Sequence, residues 1–419
     1  MRSWLRAVVS GALPETAHGW VAMRMPTPVR CAMCFVVVEL LLGNPLSTAR
    51  ATLADHFGPR LAPLAQAFAR TVARSLPSIA ASAGLSYTFD VESGTFRREA
   101  PLVGQLLLEH ADPIGAGRRN LSLSYERVVF DSFEGQRLGD LEDRRPVIAR
   151  DGQPLFALPH TRIDAEAQAV NVSATYGLTE RFDVNLTVPV VYTALSRTDR
   201  VETFFPPAET FTAHAAASKL GVGDVLLRSK YALVQTDPLH LAGGLGVRLP
   251  SGRADDFQGT GDVEFLPMLY ASSRQWERGR IQFQGHLNTG ADIDAQNVDA
   301  GEGRWSAGLD AGIGQSARLA VAVLGRHGFG RIAPRDFLEF RRCLDRRQRC
   351  LDDPLSAKKG PAPLFGLRGD RADYYDLSVG GRLVLWRDTI IGFANVLVPL
   401  NESGLRSEPI PLVGLEAAF

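Results

Sequence analysis

The stretch Phe182-Asp183-Val184-Asn185-Leu186-Thr187-Val188-Pro189-Val190-Val191-Tyr192 decides the fold. Its even positions are Phe182, Val184, Leu186, Val188, Val190 and Tyr192, while Arg181, Asp183, Asn185 and Thr187 hold the odd ones. A period of two gives an extended chain one dry and one wet face. The pattern repeats outward from there. Leu239, Leu241, Leu245, Val247 and Leu249 alternate with His240, Ala242, Gly244, Gly246 and Arg248, and Ile281, Phe283 and Leu287 with Gln282, Gln284, His286 and Asn288. Tyr375, Leu377, Val379, Leu383 and Leu385 form a later row, and Val413, Leu415, Ala417 and Phe419 the last.

The connections separate a membrane barrel from a soluble sandwich. Strands are expected near 118–131, 162–177, 180–195, 222–236, 238–250, 262–273, 279–290, 303–315, 317–328, 373–386, 388–399 and 409–419. That is an all-β, antiparallel transmembrane barrel of about twelve strands, within a range of about ten to fourteen, with both ends at the same rim. Even-numbered links are short turns, such as Gly177 to Arg181 and Trp386 to Asp388, and odd-numbered links are longer, the longest ending before Asp373. A sandwich gives no reason for that rhythm. In hydrocarbon only closure removes unpaired strand edges, so the apolar face meets lipid and the polar face lines an interior.

Composition agrees. Lys and Arg together number 46 and so do Asp and Glu, which excludes a strongly basic nucleic-acid-binding surface. Mean hydropathy is near neutral, and no stretch reaches the roughly 18 to 20 apolar residues of a membrane helix.

The first residues read as an address. Arg24 and Arg30 precede an apolar run, Cys31 to Gly43, interrupted by Glu39 alone, and Asn44-Pro45 and Ala49-Arg50-Ala51 follow. This is the layout of a secretory signal, expected over 1–51 and cleaved after Ala51. Met1 to Ala22 has no place in it, and Met23 or Met25 makes a better start. A short buried helix is the alternative. With Cys31 and Cys34 removed, Cys343 and Cys350 remain in the longest loop and read as a local disulfide. Only His327 stands near them, so neither a metal nor a cofactor is expected.

Residues 52–117 differ in character. Leu53, Phe57, Leu61, Leu64, Phe68, Val72 and Leu76 recur at helical spacing, with Pro59 and Pro63 as breaks. Leu85–Asp90 and Thr95–Glu99 flank a Glu92-Ser93-Gly94 turn like a hairpin. The segment is either a plug inside the barrel or a periplasmic cap, and the barrel itself occupies 118–419.

Gly221-Val222-Gly223-Asp224, Leu245 to Gly252, Gly259-Thr260-Gly261-Asp262 and His286-Leu287-Asn288-Thr289-Gly290 together resemble a family of outer-membrane proteins named for the MetA pathway of phenol degradation. That family is similar in turn to FadL/TodX-type transporters of hydrophobic compounds. The resemblance covers a little under half the chain. It implies a monomeric barrel, with or without an N-terminal hatch, that passes small hydrophobic or aromatic molecules.

On the polar parity stand Arg228, Lys230, Arg248, Glu264, His286, Asn288, Asp310 and Arg382, an interior of mixed charge. Such groups either line a solute path or form structural ladders. No Gly-x-Ser-x-Gly elbow, His-Glu-x-x-His or phosphate-binding Gly-rich loop is present, which argues against an enzyme. Asp292, Asp294, Asp299 and Glu302 could suggest calcium, but Gly303 stands where a bidentate Glu belongs, so a solvated loop is expected. Arg331, Arg335, Arg341, Arg342, Arg346, Arg347 and Arg349 enrich the longest loop. Its charge suits lipopolysaccharide phosphates or simple solvation. Two functions follow: passive uptake of small hydrophobic solutes through an outer-membrane channel, or a structural or ligand-binding barrel with a closed lumen.

Overall fold

The computed structural model describes residues 51–57, 65, 69–74, 87–90, 95–98, 108–142, 147–148, 154–155, 157–203, 210–236, 238–313, 316–330, 371–386 and 390–418. All of these belong to the unit Arg50–Phe419. The expected signal up to Arg50, the Cys343 and Cys350 loop, and Leu61, Leu64 and Phe68 lie outside the described residues.

Twelve strands among the described residues close into an antiparallel barrel. They are β1 (Arg119–Phe133), β2 (Ala157–Thr179), β3 (Phe182–Thr203), β4 in two pieces (Thr210–Val222 and Val225–Thr236), β5 (Leu239–Leu249), β6 (Glu264–Ser273), β7 (Ile281–Asp294), β8 (Glu302–Ile313), β9 (Ala317–Gly328), β10 (Asp373–Trp386), β11 (Ile390–Pro399) and β12 (Ile410–Ala418). Closure is made by β12 on β1, from Leu412 opposite Glu126 to Ala418 opposite Asn120.

The expected strands are all found, with one extension. Residues 196–203 continue β3, and 210–222 form the first piece of β4 paired along it. Both pieces of β4 therefore lie against the same neighbour, Val222 opposite Val190 and Leu226 opposite Thr187. The ladder breaks between them opposite Pro189, which has no N–H to give and accepts instead from the Gly223 amide at 2.9 Å.

Why the extension escapes a period-two search is visible on β2. Near the short-turn rim its outward residues are apolar and exposed, Val170, Val172, Tyr176 and Leu178, and its inward ones polar and buried, Asn171, Ser173 and Thr175. Further along, the senses exchange. Ile163, Ala165 and Ala167 now face in, while Arg162, Asp164 and Glu166 face out. β1 inverts at the same level, from Leu121, Leu123 and Tyr125 outside to Val128 and Phe130 inside.

Leu186, Leu227, Leu245, Leu269, Leu287, Leu309, Leu319, Leu383 and Leu415 continue the exposed belt around the barrel, each more than two-fifths accessible. No soluble surface keeps a continuous patch of that size, and hydrocarbon is the medium that solvates it. Val170 to Leu178 at about 3.3 Å per residue and about 40° tilt spans roughly 20 Å, close to the roughly 25 Å apolar band of such barrels. The inverted tops of β1 to β3 stand beyond that band, in water.

Candidate functional site: the barrel interior

The polypeptide ahead of β1 packs against inward-facing side chains at two levels. At the short-turn half, residues 108–118 lead into β1 through Gly115-Ala116-Gly117, whose glycines take φ of +92° and +72°. Gly177 of β2 makes room for this passage, because a Cβ there would sit 1.7 Å from the Gly115 carbonyl oxygen. The Gly117 amide donates to the Gly177 carbonyl at 2.8 Å.

Lys230 organises this level. Its Nζ donates to Glu109 Oε1 at 3.0 Å and to the backbone carbonyls of His110 and Asp112 at 3.0 and 2.9 Å, with Asp183 Oδ2 3.9 Å away. Asp183 in turn accepts the Ile114 amide at 3.1 Å, and Ser272 accepts the Ala111 amide at 3.0 Å. His240 Nδ1 lies 2.6 Å from Asp112 Oδ1.

At the long-link half the contacts are first apolar. Leu53, Ala65, Ala69 and Val72 join Val128, Phe130, Phe133, Ile163, Ala165 and Leu195 in one buried cluster. The expected stripe is not one helix from its start: Ala54–Phe57 is a short 3-10 turn and helix is present at 65 and 69–74, in keeping with the intervening prolines. The hairpin expected after it is found as Tyr87–Asp90 paired with Thr95–Arg98. Arg74 reaches a charged girdle, bonded to Glu264 and to the Ala300 carbonyl. Arg248 lies 2.8 Å from Glu264 and 3.5 Å from Asp292, and Arg304 lies 2.9 Å from Asp292 and 2.7 Å from Glu302. Arg74 is desolvated by burial, yet Glu264, Asp292 and Glu302 push its guanidinium above the usual range.

The link between β5 and β6 folds inward. Asp256, Phe257, Gln258 and Thr260 are all buried, and Asp256 accepts the Leu53 amide at 3.1 Å. Asp224, at the break in β4, holds the fold of this loop through the Gly252 amide at 3.0 Å and the Thr260 amide and hydroxyl at 2.7 and 3.0 Å. A Cβ on Gly259 would meet Asp224 at 2.3 Å and one on Gly252 the Gln258 carbonyl at 2.3 Å. The Gly-Val-Gly-Asp, Ser-Gly and Gly-Thr-Gly-Asp motifs are thus parts of one construction.

The eight residues expected inside all sit on the inward parity, but they do not form one ring. Arg248 and Glu264 share the upper girdle. Lys230 holds residues 109–112, Arg228 donates to Asn185 Oδ1 at 2.9 Å, and Arg382 lies 3.3 Å from Glu416. Asn288 is buried. His286 and Asp310 meet, with Nε2 3.2 Å from Oδ2, and Arg318 Nη1 stands 3.2 Å from Asp310 Oδ1. The acidic run is not the solvated loop expected: Asp292, Asp294 and Glu302 lie in strands and are buried, Asp292 and Glu302 facing arginines and Asp294 accepting the Gln296 and Asn297 amides at 2.9 Å each.

Ser272 Oγ lies 3.0 Å from His286 Nδ1, so Ser272, His286 and Asp310 have the composition of a hydrolytic triad. In this arrangement Ser272 is fully buried and its hydroxyl accepts the Ala111 amide, so the group serves as a packing contact. His110 stacks on this group, its ring centroid 4.0 Å from that of His286. Burial holds the His110 imidazole well below its ordinary pKa, and the neighbouring His286, Arg318, Lys230 and Arg382 add to the effect.

No protein-family model matches the chain, and neither does any curated protein. Solved structures similar to it are outer-membrane barrels. An outer-membrane channel from Pseudomonas putida F1 is 14% identical over 74% of this chain and 98% of its own, with a TM-score of 0.40. A Pseudomonas aeruginosa FadL homologue is 9% identical over 72% of this chain and 90% of its own, with a TM-score of 0.29, and the CymD monoaromatic hydrocarbon channel 8% identical over 73% and 89%, with a TM-score of 0.32.

Sequence reasoning missed Glu109, His110, Ser272 and Arg318, and placed Asp183 on the polar face without singling it out. Asp183 and Ser272 carry the right parity, so a fuller list of inward polar residues would have included them. Glu109 and His110 lie in a non-periodic stretch and give no such signal.

Proposed function

We propose that this chain is an outer-membrane channel for small hydrophobic or aromatic solutes, closed by the polypeptide ahead of β1, of which Leu53, Ala65, Ala69, Val72 and residues 108–117 pack against the inner wall. The observation that carries the reading is the apolar inner wall of the long-link half, where Val128, Phe130, Phe133, Ile163 and Leu195 would receive an apolar solute once the Leu53 to Val72 stretch withdraws. A pore for sugars or ions has no use for that wall, because its cargo would be desolvated there. The turn motifs that resemble the phenol-degradation family support the same solute class. In this reading the barrel works as a monomer, needs no cofactor and catalyses no reaction. Its signal is removed at the inner membrane, and the arginine-rich longest loop meets lipopolysaccharide phosphates at the cell surface.

The test is a lock. An A111C/S272C pair joins two residues already in contact, and uptake of toluene and of a disaccharide into proteoliposomes is followed in the oxidised and reduced forms. Toluene entry through the reduced form and its loss on oxidation support the reading. Equal toluene entry through both forms, or none above protein-free liposomes through either, refutes it in favour of a barrel with a permanently closed lumen.

A further inference from the structure

We infer that His110, His286 and Asp310 form a binding site for one divalent transition-metal ion of the zinc class, which staples residues 108–118 to the wall at β7 and β8. The three residues offer two imidazole nitrogens and a carboxylate oxygen that all lie within 4.8 Å of one another, and all three are buried. His286 Nε2 is 3.2 Å from Asp310 Oδ2, and His110 Nε2 is 3.7 Å from the same oxygen. Zinc bonds of about 2.0 to 2.2 Å at tetrahedral angles set neighbouring ligand atoms roughly 3.3 to 3.5 Å apart. The two separations to Asp310 bracket that edge and the third pair lies within 4.8 Å, so the two imidazoles draw together to seat an ion with water in the fourth position.

Two further features point to a ligand. Neither ring nitrogen of His110 has a hydrogen-bond partner, although the residue is only 1% exposed. A buried imidazole without partners is costly unless something else engages it. The surroundings also have the form of an outer ligand shell. Ser272 Oγ meets His286 Nδ1 at 3.0 Å and so fixes the ring with Nε2 toward the site, while Arg318 Nη1 donates to Asp310 Oδ2 at 3.3 Å and stands 3.2 Å from Oδ1, fixing the carboxylate. Imidazole with a single carboxylate favours zinc, cobalt or nickel over calcium or magnesium, which prefer sets of oxygen ligands. Arg318 offsets the charge of Asp310, so the site is weaker than a structural zinc centre and is expected to fill at micromolar metal.

The binding claim stands on geometry alone; only its consequence, that metal keeps the lumen shut, rests on the proposed function. Full-length protein in detergent is stripped with chelator and titrated with Zn²⁺ alone, and with Co²⁺ as a spectroscopic probe. One equivalent is expected to bind, with intense visible bands of four-coordinate cobalt. H110A and H286A should each weaken binding at least a hundredfold, S272A roughly 10- to 100-fold, and H160A not at all. H110A changes a residue outside the strands, and heat-modified gel mobility confirms that each variant has folded. No saturable binding by the native chain, or binding that H110A and H286A leave unchanged, overturns the site. Toluene uptake with and without Zn²⁺ is then measured: slower uptake with metal supports the staple, and bound metal with unchanged uptake retains the site while refuting its role as a lock.

Discussion

Lys230→Met is the sharpest test of how residues 108–118 are held. The substitution keeps the length of an apolar stem and removes one ammonium that satisfies Glu109 and the carbonyls of His110 and Asp112. Glu109, 7% exposed, and Asp183, 1% exposed, both lose that ammonium. Removing one partner of a buried pair costs about 3 to 5 kcal/mol. At about 1.4 kcal/mol per tenfold change, the unseated population of this segment rises by roughly two to three and a half orders of magnitude. Native-state hydrogen exchange of peptides covering 108–118 reads this directly, since the Ala111 and Ile114 amides are bonded to Ser272 and Asp183 only while seated. The double variant E109Q/K230M removes both charges and should recover most of the protection. Exchange in K230M within about twofold of the native chain, under the same magnitude argument, would sink the claim that Lys230 is the anchor.

Other outcomes follow from the same geometry. G177A forces a methyl against the Gly115 carbonyl and should lower the temperature of heat-modified gel migration or prevent assembly. V72D places a carboxylate in the apolar cluster with Phe130 and Ile163 and forfeits the roughly 1.5 to 3 kcal/mol of a buried valine, so toluene permeation should rise while the barrel still folds. L269R puts a cation in the exposed belt and should destabilise the barrel in bilayers by about 2 to 4 kcal/mol, measured by denaturant titration. R127L, above the point where β1 inverts, should change stability by less than about 0.5 kcal/mol, as an exposed site does.

The barrel was legible because its rule is local. Lipid on one side and a polar interior on the other force the alternation of Phe182 to Tyr192 within eleven consecutive residues. The stretch 210–222 was not legible because most of it stands in water, where the outward leucines that mark a membrane strand give way, before Leu220, to Thr212, His214, Ala216 and Ser218. Eight interior residues could be picked by parity, yet parity says nothing of partners. That Asp224 ties the link between β5 and β6 into the interior, or that Lys230 meets Glu109, depends on contacts across 28 to 121 positions of chain. His110 shows the limit most clearly: it lies in a stretch with no period, and only the wall opposite gives it neighbours.

The exchange of faces along β1 and β2 acts as a depth gauge. Sliding the barrel outward by one pleat would lift Val170 into water, and sliding it inward would drag Gln168, Glu166 and Arg127 toward the acyl chains. A charge near the interface costs about 0 to 1 kcal/mol and one at the midplane about 2 to 4, so resistance grows with each step of submersion. Vertical position is thereby written into the strands themselves, and the apolar cluster around Phe130 and Ile163 stands beyond the exposed belt, on the cell-surface side in the proposed topology.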